Sequence, residues 1–306
     1  MKRSKPFGLI LITLIYIITL IGSYFLYDFV ASWFGDAMSS SPLIIILILD
    51  IFATIIVYIF SMIFDNASIY DPYWSVIPIF MYLLYALKTG NLGDYHVIIM
   101  LAILIIWGVR LTINWAYTFR DLSKQDWRYD MYKEKHPKLW PLINLFGIHL
   151  FPTIVVFIAM IPAFNYIEQL SNSFTPTIGT YFGVIIAIVA IIIEMVADIQ
   201  MHQFRNVSSN HGLVNDKGLW KMCRHPNYFG EILFWIGICV MGISFYQDGG
   251  SDLLLFSPLV MFVMFAMISI PMMEKRQLET KAGYKEYVEK TPMILPFGPK
   301  EVKEEK

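Results

Sequence analysis

Arg224-His225-Pro226-Asn227-Tyr228-Phe229-Gly230-Glu231 stands at the mouth of an apolar segment that runs on through Trp235 to Gly242. Arg224 and His225 can bind anions. Pro226 suits the first position of a helix, where a missing N–H costs nothing. Asn227 and Glu231 then fall one turn apart, with the carboxyl inside a stretch of membrane-spanning character. A carboxyl within the bilayer is costly and marks a functional site by default. The stretch therefore reads as the polar entry of a transmembrane helix.

The rest of the chain agrees with that reading. Of its 306 residues 57% are hydrophobic and only 15% charged, and the mean hydropathy is +0.58, far from the balance of a soluble domain. Apolar runs recur at about 7–27, 42–64, 72–88, 95–118, 142–164, 179–201, 227–246 and 253–273. Most have the length of about 20 residues that a bilayer core demands. The first begins with Lys2, Arg3 and Lys5 but is long and lacks a small-residue cleavage site, so it is expected to be retained. Lys and Arg are absent from the alternate loops near 28–41, 89–94, 165–178 and 247–252, and crowd into the others. The positive-inside rule then places both termini in the cytoplasm and makes the spans even in number. The expected fold is an all-α polytopic bundle of about eight transmembrane helices. A net charge of −1 calls for no nucleic-acid partner, and the basic loops suit topology and contact with anionic membrane lipids.

Cys223 and Cys239 are the only cysteines, at a spacing that suggests neither a disulfide nor a metal site. Cys223 reads as a packing residue. There is no Walker-type loop, G-x-G-x-x-G or H-E-x-x-H motif and no internal repeat. His96 and His149 read as hydrogen-bonded packing residues.

Three constellations carry possible chemistry. Glu194, Asp198 and His202 stack at intervals of four on one helical face, with Arg205 on the same stripe. They form either a self-neutralising structural set or a wall whose acids accept from ribose hydroxyls while Arg205 takes a phosphate. Asn215-Asp216-Lys217-Gly218-Leu219-Trp220 leads into Arg224 and the Pro226 helix start, bringing positive charge to a helix N-terminus. The bland alternative is a basic interfacial loop with a Trp anchor. The last is Glu274-Lys275-Arg276 with Tyr284 and Tyr287, where an amphipathic interfacial helix, carrying Leu278, Ala282 and Tyr287, competes with a phosphate contact for Arg276. The turn Asp71-Pro72-Tyr73-Trp74 is also polar and aromatic.

The Arg224–Glu231 block, with Gly218-Leu219-Trp220 upstream and the Asp71-Pro72-Tyr73-Trp74 turn, resembles the DUF1295 group of bacterial membrane proteins. That group belongs to the steroid 5α-reductase-like superfamily, and the resemblance covers roughly residues 45 to 297. It implies domains at 1–40 (an N-terminal helix and outer loop), 41–297 (the reductase-like transmembrane domain) and 298–306 (a charged tail). It also implies an NADPH site in the C-terminal half, open to the cytoplasm, in the cytoplasmic membrane of a bacterium. Asn227, Tyr228 and Glu231 match the N-[YF]-[FL]-G-E block of the reductases, whose Asn and Glu contact the cofactor. Asp198 and Arg205 match an acid and a base seven apart, and Arg276 resembles an Arg of the final segment. With His202, Arg224 and His225 these make up the expected cofactor site.

In the reductases a Glu and a Tyr of the N-terminal half polarise the enone carbonyl, and no segment here matches that pattern. Asp71 and Tyr73 are the expected catalytic residues, with Asn66, Asn114 and Tyr117 as further polar or phenolic candidates. The implied activity is NADPH-dependent reduction of a C=C bond conjugated to a carbonyl in an apolar lipid of steroid-, isoprenoid- or fatty-enone-like type. Related isoprenylcysteine methyltransferases share the Arg-His-Pro element and use S-adenosylmethionine, and a non-catalytic membrane protein is the third reading. The sequence sets no oligomeric state.

Overall fold

The computed structural model describes residues 4–33, 42–171, 177–244 and 256–299, and every regular element among them is helical. The expected outer loops near 28–41, 165–178 and 247–252, and the tail beyond 299, lie wholly or partly outside the described residues. The chain divides into two compact units, Met1–Phe174 and Thr175–Lys306.

The first unit holds α1 (Lys5–Ser32), α2 (Pro42–Ile63), α3 (Tyr73–Lys88), α4 (Tyr95–Thr118), α5 (Trp127–Lys135) and α6 (Trp140–Leu170). The second holds α7 (Ile178–Arg205), α8 (Pro226–Ile243), α9 (Ser257–Thr280) and α10 (Tyr284–Lys290). Seven of these, α1, α2, α4, α6, α7, α8 and α9, are long and apolar enough to cross a membrane.

The third expected span is α3, and it is short. Its 16 residues cover roughly 24 Å at about 1.5 Å per residue, less than a bilayer core of about 30 Å. The Asp71-Pro72 turn delays its start, and Gly90, at φ +75°, follows its end. Tyr73, Ile77, Met81, Tyr82 and Tyr85 are all buried, so α3 is an interior helix of its unit. Lys88, at the edge of a loop expected on the outer side, has a local reason. Its ammonium lies 2.7 Å from Asp28 and 4.7 Å from the centre of the Tyr27 ring.

In the second unit α7 and α8 touch backbone to backbone. Gly183, Ala187, Ala190 and Ala197 recur on the buried face of α7, which lets Gly230 and Gly237 of α8 come close. A Cβ at Gly237 would fall 2.8 Å from the Ala187 nitrogen and 2.9 Å from the Gly183 carbonyl oxygen. Such small-residue seams substitute van der Waals packing for the hydrophobic effect, which is absent between helices in lipid. Local caps set several boundaries: Asp94 accepts from the His96 N–H at 2.7 Å, and Asp126 from that of Arg128 at 2.9 Å. Two helices carry π-helical turns, Ile143–Leu150 within α6 and Phe265–Ser269 within α9.

Candidate functional site

In the second unit the Arg224 region is built by the chain's own tail. The Arg224 and His225 N–H groups donate to the carbonyls of Pro292 and Met293 at 2.9 and 3.1 Å, and Gly298 N–H donates to Met222 at 3.1 Å. The guanidinium grips Glu274 through Nε at 2.6 Å and Nη2 at 3.3 Å. Its Nη1 reaches the carbonyls of Val288 and Thr291 at 3.1 and 2.5 Å. Four of the five N–H groups of Arg224 are thus spent on protein acceptors. His225 Nε2 shares the same Glu274 oxygen at 3.0 Å, and its ring stacks on Tyr228, which stacks in turn on Phe265. Arg224, His225 and Tyr228 therefore come together around Glu274, a residue the sequence left as a neighbour of Arg276.

The loop before this cluster is equally tied. Gly218 has φ +58°, and a Cβ there would meet the Gln200 amide at 2.6 Å. Gln200 Oε1 accepts from the Leu219 N–H at 2.9 Å. Trp220 is buried rather than interfacial, and its indole donates to the Ala197 carbonyl at 3.0 Å. Tyr287 donates back to the Trp220 carbonyl, so Tyr284 and Tyr287 face inward while Leu278 is half exposed. Burial pushes the Cys223 thiol up to about 11, which keeps it a neutral packing group.

Glu231 sits on a different network from Arg224. Its carboxyl is 2% exposed and accepts from the Trp235 indole at 2.8 Å. Glu194, also buried, packs against the neighbouring glycine: a Cβ at Gly230 would lie 2.8 Å from Glu194 Cβ. Asn227 is half-buried in the first turn of α8. Asp198, His202 and Arg205 follow Glu194 along α7, and Arg205 feels the Asp198 charge. Arg205 also has a cationic neighbour that the sequence reading passed over, Lys281. Burial, and then the Arg205 charge, push the Lys281 ammonium down. The next residue, Ala282, donates its N–H to Gly212 at 2.9 Å, tying this segment to the loop after α7. Arg276 is exposed near the end of α9.

In the first unit the two expected catalytic residues part company. The Tyr73 hydroxyl lies 3.3 Å from Asp50 Oδ1, 3.4 Å from the Asp50 carbonyl oxygen and 3.4 Å from Thr54 Oγ1. Thr54 continues to Thr153 at 2.9 Å, and Thr153 to the Tyr70 hydroxyl at 2.8 Å. All five side chains are buried. His149, buried beside the Tyr70 ring, holds the Asn144 carbonyl through Nδ1 at 2.9 Å. Asp50 went unremarked in the sequence, yet it is a carboxyl eight residues into an apolar run. The argument that singled out Glu231 applies to it equally.

Asp71 belongs to a separate place. It accepts from the Tyr129 hydroxyl at 2.7 Å and lines an open cavity of about 370 Å³ at the C-terminal end of α4. Burial, and then the Asp126 charge, push its carboxyl up to about 6, against the hydroxyls of Ser68 and Tyr129, which pull it down. Asn66 is structural: its amide donates to the carbonyls of Leu122 and Lys124 at 2.9 and 3.0 Å.

Long apolar helices enclosing buried carboxyl, phenol and hydroxyl groups define a polytopic helical membrane protein with polar sites inside its units. Its family follows from comparison. The chain belongs to the DUF1295 family, described as a protein of unknown function, whose profile matches residues 57–291. A protein of Schizosaccharomyces pombe described as uncharacterized is 23% identical over 230 residues, which cover 67% of this chain and 65% of the yeast one. No solved structure matches the chain.

Proposed function

We propose that the protein is an NADPH-dependent reductase of a C=C bond conjugated to a carbonyl in an apolar lipid, as its resemblance to the steroid 5α-reductase-like group implies. The observation that carries this reading is the Asp50–Tyr73 contact, a carboxyl and a phenol in the interior of the first unit. Reduction of an enone builds negative charge on the carbonyl oxygen, and a donor aimed there lowers the barrier. The three contacts of the Tyr73 hydroxyl are all 3.3–3.4 Å, long for O–H···O bonds, which centre near about 2.7–2.8 Å. A hydroxyl so loosely held can turn to a stronger acceptor. Asp50 orients it, and the Thr54–Thr153–Tyr70 chain offers a path for a proton to reach it. Tyr73 is thus the proposed catalytic donor, with Asp50 in the carboxyl role expected of Asp71.

The second unit suits a dinucleotide. NADPH when bound supplies the hydride. Two cations in each other's field, Arg205 and Lys281, fit a phosphate, since an anion between them removes their repulsion. Asn227 and Glu231 offer an amide and a carboxyl for the nicotinamide or a ribose, and His202, Asp198 and Arg276 complete the proposed set. Arg224, His225 and Tyr228 act by holding the tail and the start of α8. We place the protein in the cytoplasmic membrane with both termini in the cytoplasm, the short buried α3 completing eight crossings together with the seven long apolar helices. Reporter fusions after Lys306 and within 165–178 would then give opposite locations.

The test is titration of the detergent-purified chain with NADPH and with S-adenosylmethionine, followed by NADPH oxidation in the presence of an alkyl-substituted cyclohexenone. The proposal expects NADPH alone to bind. Tyr73→Phe should lose about a hundred- to a thousand-fold in turnover while its NADPH affinity stays unchanged. Binding of S-adenosylmethionine alone would transfer the protein to the methyltransferase reading, and binding of neither would favour a non-catalytic role.

A further inference from the structure

The cavity beside Asp71 is not used by the proposed chemistry, and its construction is unusual for a connecting loop. Residues 119–126 are laced to the 65–71 turn by a set of buried or half-buried hydrogen bonds. The Asn66 amide holds two of their carbonyls, Gln125 Oε1 accepts from the Ala67 N–H at 2.9 Å, and the Asp126 N–H donates to Ser68 Oγ at 2.9 Å. Asp65 supports the turn from a left-handed conformation, φ +53°, and meets Lys133 at 2.5 Å. A loop that only crossed from one helix to the next would need none of this. Arg120, Lys124 and Asp71 all line the cavity, as do Trp115 and Phe119, whose ring centres lie 4.8 Å apart.

The charges suit a zwitterion better than a simple anion. Asp126 is committed to Arg128, at 2.8 and 3.2 Å. Asp121, outside the cavity, lies in the field of Arg120 and Lys124 but is turned to the N–H and hydroxyl of Ser123. Two exposed cations therefore line the cavity together with one carboxyl, which the hydroxyls of Tyr129 and Ser68 hold. The volume, about 370 Å³, lies at the small end of ligand pockets, which run from about 300 to 1,000 Å³. Ile105, Val109, Ile113 and Tyr117, spaced by four, form an exposed stripe down α4, and its last member directly precedes Thr118 of the cavity lining.

We propose that this cavity binds the headgroup of an amine-bearing zwitterionic phospholipid. The phosphate sits on Arg120 and Lys124, the ammonium on Asp71, and an acyl chain lies along the α4 stripe. Trp115 lies in the last turn of α4 and Phe119 caps it, the part of a span where aromatic rings commonly meet headgroups. The exposed apolar stripe on the same helix argues for a lipid over a free phosphate compound.

Native mass spectrometry of the full-length protein tests this, with phosphatidylethanolamine, phosphatidylglycerol and soluble glycerophosphoethanolamine as probes. The expected result is one tightly retained phosphatidylethanolamine, bound at least tenfold better than phosphatidylglycerol. Arg120→Ala combined with Lys124→Ala should lose it. Asp71→Asn should abolish the preference between the two lipids while phosphate-driven binding remains. Melting temperatures taken without added lipid identify any variant that fails to fold, and for these Lys124→Gln alone, expected to lose about tenfold, takes the place of the double change. Equal binding of both lipids to the wild type, or unaltered binding by folded variants, would overturn the proposal. So would displacement by equimolar glycerophosphoethanolamine, which would make the ligand a free phosphate compound, or by NADPH, which would assign the cavity to the cofactor.

Discussion

The Arg224 guanidinium holds Glu274 in a two-pronged grip at 2.6 and 3.3 Å, across 50 positions of sequence. Both side chains are largely withdrawn from solvent, at 10% and 16% exposure. A charge left behind by removal of its partner from such a pair typically costs about 3–5 kcal/mol.

Arg224→Ala is therefore expected to lower the melting temperature strongly, and Arg224→Lys to recover little, because an ammonium cannot reproduce the fork. The folded fraction of either variant should bind NADPH normally, since four of the five donors already serve the protein. A selective loss of nucleotide affinity with unchanged melting would return Arg224 to the cofactor site.

Glu231→Gln keeps an oxygen for the Trp235 indole, so its melting temperature should stay close to that of the wild type. Nucleotide affinity should fall by roughly ten- to a hundred-fold, the worth of a hydrogen bond to a charged group at about 1.5–3 kcal/mol. Isothermal titration and a melting curve on one preparation give both numbers, and unchanged affinity would remove Glu231 from the site.

Lys281→Ala and Arg205→Ala should each weaken NADPH by about tenfold or more, within the same range for a charge-assisted bond, and leave NADH much less affected if the pair holds the 2′-phosphate. Competition between the two nucleotides in a fluorescence assay reports the ratio directly. Equal losses for both would move the pair to the pyrophosphate.

Asp71 gives a pH signature. Its carboxyl, pushed up to about 6, binds a proton more tightly in the folded protein than in the unfolded chain. Its contribution therefore favours folding below an ordinary carboxyl pKa of about 3.9. That contribution is lost as pH rises through about 6. Relative to Asp71→Asn, the wild type should lose about 1–2 kcal/mol of stability between about pH 4 and pH 7, after allowance for solvent screening. Melting curves of the two proteins across that range provide the check, and parallel curves would show that Asp71 is not perturbed.

Hydropathy made the helices readable, because bilayer thickness imposes one length on every span. The exception, α3, escaped that rule because its neighbours bury it, so its apolar run reports protein interior and not lipid. The motif around Arg224 was visible, but its partner was not. Glu274 is separated from it by two spans, and no local periodicity links residues that meet only through the tail. Tyr73 was noticed as a phenol near a turn, whereas Asp50 passed unnoticed among Ile and Leu. A hydrogen bond between helices leaves no trace in either helix's own pattern. Lys281 looked like one more positive charge of an inner segment until its proximity to Arg205 set it apart.

The tail that closes over the loop has a consequence for how the protein is made. Arg224 reaches the Thr291 carbonyl 67 positions further on, and Met222 receives the N–H of Gly298. A chain emerging from the ribosome has neither partner until Thr291 and Gly298 have followed, whatever has already entered the bilayer. Completion of this loop thus waits on the strap, and a stop codon ahead of Tyr284 takes away the carbonyls of Val288 and Thr291 and the Tyr287 hydroxyl, which leaves part of the Arg224 guanidinium and the Trp220 carbonyl open to quality control.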